Sequence, residues 1–396
     1  MTLAGTKHTE RIYGVLKSSP DDFVVEEIPL YEPCGKGEHL YLTVCKSNVS
    51  HDELIRKVAK KFGVPRRNIG CAGRKDLKAV TTQVLSIHLP GQQVERPNHI
   101  GAIEVVSSNW HTNKLRLGHL KGNRFSILLR EVQPSSYKLI EERLVELMQQ
   151  GLPNAFGNQR FGNKLNNHIL GRCFVLEDWD VLVQMLLKGE ERHHDYAKMG
   201  EYKQALDAWP FGQPAERNVL EALANGKSNQ QACKTISHSL RKLWINAFQS
   251  TCFNEVLKRR IKEKTWDKII EGDLVCRNDA WGRTFNISTE ELESEDIVER
   301  LNSFAISPSG PLWGVKMRMA SGEARAIEQE ELKKCGVTES NLLIIKKDAK
   351  GSRRPLRVSI GNASMETVDD SIRLRFDLPA GSYATVVVQY LLNGEI

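Results

Sequence analysis

The 396-residue sequence is poor in several features, and each scarcity narrows what the chain can be. No apolar run approaches the ~20 residues needed to span a bilayer, so no membrane partner is expected. The opening residues Met-Thr-Leu-Ala-Gly-Thr-Lys-His form no apolar signal core, and the expected location is cytoplasmic. The eight cysteines include no Cys-x-x-Cys and no histidine partner at zinc spacing, so they read as reduced thiols and no metal is expected. His193-His194-Asp195 has no further ligands in sequence and reads as part of a solvated loop. P-loop, dinucleotide-binding and zinc-deaminase signatures are missing, and Gly381-Ser382-Tyr383 is no nucleophile elbow. Internal repeats and low-complexity tracts are missing too.

What remains is an ordinary globular composition, 40% hydrophobic and 27% charged, on a chain long enough for two domains. The formal net charge of +7 suits a phosphate-bearing partner. Much of the positive charge is clustered: Arg56, Lys57, Lys60, Lys61, Arg66, Arg67, Arg74, Lys75 and Lys78 fall within one short stretch. Strand-like compositions occupy 23–28, 39–46, 84–89 and 125–132. Ile372, Leu374, Phe376 and Leu378 alternate with polar residues at the period of a half-buried strand. Ser50-His-Asp-Glu53 reads as a capping box opening a helix that Gly63 stops. A second helix is expected from about 136 to 150. The middle of the chain is richer in helical patterns, at 181–188 and 240–263. Residues 346–355 read as a basic linker back to the strand-rich region.

The densest signal is 70–83, Gly-Cys-Ala-Gly-Arg-Lys-Asp-Leu-Lys-Ala-Val-Thr-Thr-Gln. Two glycines permit a tight turn. One carboxylate, Asp76, then sits among Arg74, Lys75 and Lys78, ahead of a strand. A positive field keeps a carboxylate ionised, and the same cations attract phosphate. An ordinary charged turn has this pattern too; in a phosphate-binding surface it suggests a nucleophile acting on nucleic acid.

This segment resembles the motif G-x-A-G-x-K-D-x-x-A-V-T-x-Q of the TruD family of tRNA pseudouridine synthases, at every fixed position. Further likenesses follow in family order: Lys17-Ser-Ser-Pro20-Asp-Asp22-Phe23-Val-Val25-Glu-Glu27, Lys121-Gly122-Asn123-Arg-Phe125, Pro153-Asn154-Ala-Phe156-Gly157-Asn-Gln159-Arg160-Phe161-Gly162, and Leu378-Pro379-Ala380-Gly381-Ser382-Tyr383-Ala384-Thr385. The resemblance implies an α+β fold, a pseudouridine synthase catalytic domain with a mixed, mainly antiparallel sheet, interrupted by an inserted TRUD α/β domain. The expected parts are residues 1–151, an insertion over 152–352, and a final strand and helix in 353–396. It further implies a tRNA substrate, isomerisation of the uridine at position 13 in the D arm, and no cofactor.

Pseudouridine formation breaks N1–C1′, turns the uracil and rejoins it through C5, so it needs a carboxylate and no redox change. The resemblance makes Asp76 that group and Lys17 its cation, with Lys75 a rival nearer in sequence. Attack at C1′, attack at C6 and proton abstraction to a glycal all remain open. Reaching the base requires flipping it out of the RNA. Phe23, Asn123, Phe125 and Tyr383 are the implied substrate contacts, although both Phe positions read equally well as strand core. Tyr383 replaces the family's usual Phe, adding a hydroxyl that needs a partner if buried. Lys60, Lys61, Arg74, Lys75 and Arg160 are candidates for the RNA backbone, and the stretch around Arg160 reads equally as a tight interdomain turn. A non-catalytic RNA-binding protein and a uridine N-glycosidase are the rival readings.

Overall fold

The computed structural model describes residues 10–92, 94–278 and 283–394, and the N-terminal stretch read for a signal core lies outside them. The chain forms two compact units, one of Pro153–Arg357 and one made from the segments on either side of it.

The flanking segments build a ten-stranded sheet. Its main path runs Gly361–Val368, Ser371–Pro379, Leu120–Arg130, Phe23–Pro29, Val80–His88, His39–Ser47, Ile103–His111 and His99–Ile100. Val15–Leu16 adds to Leu120–Arg130, and Ile69–Cys71 to Val80–His88. Among the described residues of this sheet, only the pairing of Phe23–Pro29 with Val80–His88 is parallel, and the others are antiparallel. The fold is therefore α+β with a mixed, mainly antiparallel sheet. The alternation read at 372–378 is real: Ile372, Leu374, Phe376 and Leu378 are all buried. Helix His51–Lys61 covers one face, its Leu54 and Val58 meeting Leu42, Val44, Leu85 and Ile87. Ser50 caps it by accepting from the Glu53 amide, and Gly63 follows with φ of 64°. The reciprocal half of the capping box does not form, because the Glu53 carboxylate turns to Lys57, 2.9 Å away. An ammonium four residues on is a stronger partner for it than a backbone amide. Helices Tyr137–Gln150 and Ala384–Asn393 are joined by the Tyr390 hydroxyl, which donates to Glu146 at 2.7 Å.

The unit Pro153–Arg357 is mostly helical and centres on the 25-residue helix His238–Lys262. Trp244, Ile245 and Phe248 of that helix pack with Phe174, Trp209, Trp313 and Ile345 in the core. A four-stranded antiparallel sheet runs Thr284–Asn286, Leu274–Arg277, Ile306–Leu312 and Ser352–Pro355. Two sequence readings need correction here. The stretch 346–355 is not linker throughout, because Ser352–Pro355 is a strand whose Arg353 is buried against Glu328 at 2.6 Å. The carboxylate that pairs with Arg353 lies on helix Gly322–Lys334, beyond the reach of a local charge pattern. His193-His194-Asp195 is not a solvated loop but part of helix Arg192–Lys198, with both imidazoles packed edge-on against Trp209.

Candidate active site

Gly70 of the 70–83 motif serves a purpose other than a turn. Neither Gly70 nor Gly73 has positive φ. Gly70 lies in strand Ile69–Cys71, where a Cβ would stand 2.2 Å from the Leu115 carbonyl oxygen, so only glycine fits the close approach of two backbones. The loop between this strand and Val80–His88 carries Asp76.

Three lysines hold that loop, each by a different atom. The Lys17 ammonium lies 2.9 Å from Asp76 Oδ2. Its backbone is left-handed, with φ of 61°, a strained conformation for a side-chain-bearing residue that the surroundings must enforce. The same ammonium sits 3.9 Å above the Phe23 ring centroid, so it is held between a carboxylate and an aromatic face. Lys46, buried on strand His39–Ser47, donates to the Asp76 backbone carbonyl at 2.9 Å. Burial pushes the Lys46 ammonium below its ordinary pKa. Lys75 does not pair with Asp76. It contacts Glu27 at 2.8 Å and donates to Asn123 Oδ1 at 2.7 Å, while the other Glu27 oxygen accepts from the Val84 amide at 2.9 Å. Asp76 keeps 39% of its side-chain surface exposed and Lys17 24%, so the pair is fixed yet open to solvent.

The segment presenting Lys17 and Phe23 is anchored by Asp22. Its carboxylate is buried, receives Arg130 through both Nε and Nη2, and accepts from the Ser19 amide. The hydrogen bonds from Arg130 hold the Asp22 carboxyl below the usual carboxylate range, against the opposing effect of burial.

Among the other sequence candidates, Phe23 and Phe125 are brought together, with ring centroids 6.1 Å apart, and Phe376 lies 5.5 Å from Phe125. Both are core residues; Phe125 is only 6% exposed. Asn123 pairs across the sheet with Leu378, and Tyr383 follows that strand as the residue capping helix Ala384–Asn393. Lys60, Lys61 and Arg74 are exposed, as a phosphate contact requires. Lys75 is not available for that task, because its ammonium is buried between Glu27 and Asn123. Arg160 belongs to the other unit, where Nε donates to Ser250 at 3.0 Å and Nη2 to the Asn246 carbonyl at 3.4 Å. Near it, Asn154 Nδ2 donates to the Pro355 carbonyl, joining the two ends of that unit's chain.

Sequence reading missed Lys46 and Glu27 as parts of the site. A signal for Lys46 was present: Leu40, Leu42 and Val44 set a period of two that places residue 46 inward. Glu27 closes the motif that begins at Lys17, but its partner Lys75 lies 48 residues away in sequence and no local pattern gives that pairing.

No described group of three or more His, Cys, Asp or Glu residues is placed to hold a metal ion. No described helix is long and apolar enough to cross a membrane.

Fold and site together define a class: an α+β protein whose sheet presents an accessible carboxylate in a frame of lysines. Residues 4–391 match the family described as tRNA pseudouridine synthase D (TruD). The tRNA pseudouridine synthase D of Geobacter sulfurreducens is 36% identical over 390 residues, covering 96% of this chain and 94% of that protein. Its counterpart in Geobacter metallireducens is 35% identical over 391 residues, covering 96% and 95%. A crystal structure described as TruD from Methanosarcina mazei superposes with a TM-score of 0.78 at 25% identity, over 97% of this chain and 94% of that one. The chain belongs to the tRNA pseudouridine synthase D (TruD) family.

Proposed function

We propose that this protein is a cytoplasmic tRNA pseudouridine synthase that isomerises the uridine at position 13, in the D arm, with Asp76 as nucleophile and Lys17 as its cation. The observation that carries the reading is the Lys17–Asp76 pair at 2.9 Å, fixed but still accessible. The reaction is balanced within the substrate: N1–C1′ breaks, C5–C1′ forms, and the C5 proton is lost as another returns to N1. Such an isomerisation needs no external oxidant, metal or cofactor.

Phe23 and Phe125 back the place where the flipped uracil binds, with Asn123 and Tyr383 at its rim. An ammonium can only donate, so the Asn123 atom facing Lys75 is the carbonyl oxygen. The amide nitrogen is then left as a donor for a uracil carbonyl. Arg74, Lys60 and Lys61 contact phosphates. Residues 153–357 act as the inserted TRUD domain, and the flanking segments form the catalytic domain. The test is chemical mapping of pseudouridine in bulk tRNA after incubation with purified protein. One new pseudouridine at position 13 is expected. Release of free uracil would instead identify an N-glycosidase, and tRNA binding with neither product a non-catalytic RNA-binding protein.

A further inference from the structure

The unit Pro153–Arg357 contains a cavity of about 370 Å³ whose charge is unbalanced. Four cations line it: Arg160, Lys242, Lys347 and Lys350. The one lining carboxylate, Asp348, is already engaged by Arg241 at 2.5 Å, with His238 at 3.3 Å from its other oxygen. None of the three lysines has a carboxylate partner among the described residues. Arg160 is held in place by neutral acceptors only, Ser250 and the Asn246 carbonyl, and its Nη1 has no protein acceptor among the described residues. Its guanidinium also lies 5.4 Å from the Phe156 ring centroid, so the fork is fixed before any ligand arrives. Two buried arginines of the same unit are neutralised, Arg260 by Asp273 at 2.9 Å and Arg353 by Glu328 at 2.6 Å. Four like charges thus line one cavity, and the three lysines among them are exposed with no internal ion pair to break before an anion binds. A pre-oriented arginine with flexible lysines beside it matches a phosphate, which takes a two-pronged donor and neighbouring point charges.

We propose that this cavity is a phosphate-binding site, distinct from the Asp76 site and carried wholly by the unit Pro153–Arg357. Its phosphate is a backbone phosphate of the RNA, an assignment of source that rests on the function proposed above, or a phosphate of a free small molecule. Arg160 fixes one side of the phosphate by hydrogen bonds, and Lys242, Lys347 and Lys350 supply mobile charge on the other. The three lysines belong to a different compact unit from Asp76, so their removal leaves the chemical step untouched.

The experiment compares wild type with the full-length variant Lys242→Ala/Lys347→Ala/Lys350→Ala, and with Lys347→Ala alone should the triple variant fold poorly. The first measurement is tRNA binding across a salt series; the second is titration with inorganic phosphate and with uridine monophosphate, followed by calorimetry. With an RNA phosphate in the cavity, the slope of log K against log salt falls by about 0.7–0.9 for the one phosphate released, while kcat at saturating tRNA is unchanged. An unchanged tRNA slope with loss of phosphate or uridine monophosphate binding assigns the site to a free phosphorylated molecule. Identical salt slopes together with identical small-anion binding overturn the proposal. A wild-type protein that neither binds nor modifies tRNA refutes the proposed function, while the small-anion titration still reads the cavity.

Discussion

At the scale of single residues, the lysines around Asp76 act on different atoms, and that difference decides what each substitution does. Lys17 neutralises the carboxylate itself, whereas Lys46 holds the backbone carbonyl behind it. Asp76→Asn keeps size and shape but removes the anion, so turnover should fall below detection while tRNA binding persists. A clean preparation of that variant with measurable multiple turnover would refute the assignment. Lys17→Met tests the partner. Because Asp76 is 39% exposed, water screens an orphaned carboxylate, and the stability cost should be only about 0–1 kcal/mol. Turnover should nevertheless fall, on the order of 10²-fold, as for loss of one pre-oriented electrostatic group. Thermal melting and kcat measured on the same preparation separate the two effects. Normal kcat would make Lys17 a surface lysine.

At the scale of elements, two anchors set where the segment carrying Lys17 and Phe23 stands. The short helical turn Pro20–Asp22 is tied to strand Leu120–Arg130 through Asp22 and Arg130. The Asp22 carboxyl is held below its ordinary pKa when folded, so the unfolded chain takes up that proton first as pH falls. The stability it contributes is therefore complete above the unfolded value of about 3.9 and is lost as pH falls through the lower folded value. Arg130→Gln should destabilise the protein near neutral pH, because the buried Asp22 carboxylate loses its guanidinium partner. The difference from wild type should shrink in acid, read from urea melts at several pH values; a pH-independent difference would refute the linkage. The second anchor is the aromatic layer Phe23, Phe125 and Phe376. Phe125→Ala opens a cavity and should destabilise by about 3–5 kcal/mol. If Phe125 also supports the base, kcat/KM per folded molecule should drop by one to two decades, since stacking is worth about 1–3 kcal/mol. Full specific activity from the folded fraction would leave it a purely structural ring. These anchors also show what a sequence can reveal. Helix His51–Lys61 was legible because its cap, apolar stripe and stop are local. The alternation in Ser371–Pro379 was legible because a period of two is local. The Lys75–Glu27 pair, the closeness of Gly70 to Leu115 and the inward strand at 352–355 depend on partners far along the chain, which no local pattern encodes.

At the scale of the whole molecule, the excess of cations over carboxylates is modest, so its placement decides what it does. Helix His51–Lys61 turns Leu54 and Val58 into the core and leaves Lys60 and Lys61 exposed, with no carboxylate partner for either among the described residues. Lys57 on the same helix is already satisfied by Glu53. Charges left free on a rigid helix are suited to phosphates, because no internal ion pair has to break first. Chemistry at one flipped uridine needs few base contacts, so most of the affinity for tRNA should come from such phosphates. Binding should then weaken steeply with salt. The double variant Lys60→Ala/Lys61→Ala should flatten the plot of log K against log salt by up to about 1.4–1.8, at about 0.7–0.9 for each phosphate no longer neutralised. The modified position should not change, because phosphate contacts set register without reading sequence. Fluorescence titrations of tRNA from low to physiological salt, on wild type and the double variant, make the comparison. Parallel lines would mean that this helix faces solvent in the complex and that the phosphates are gripped elsewhere.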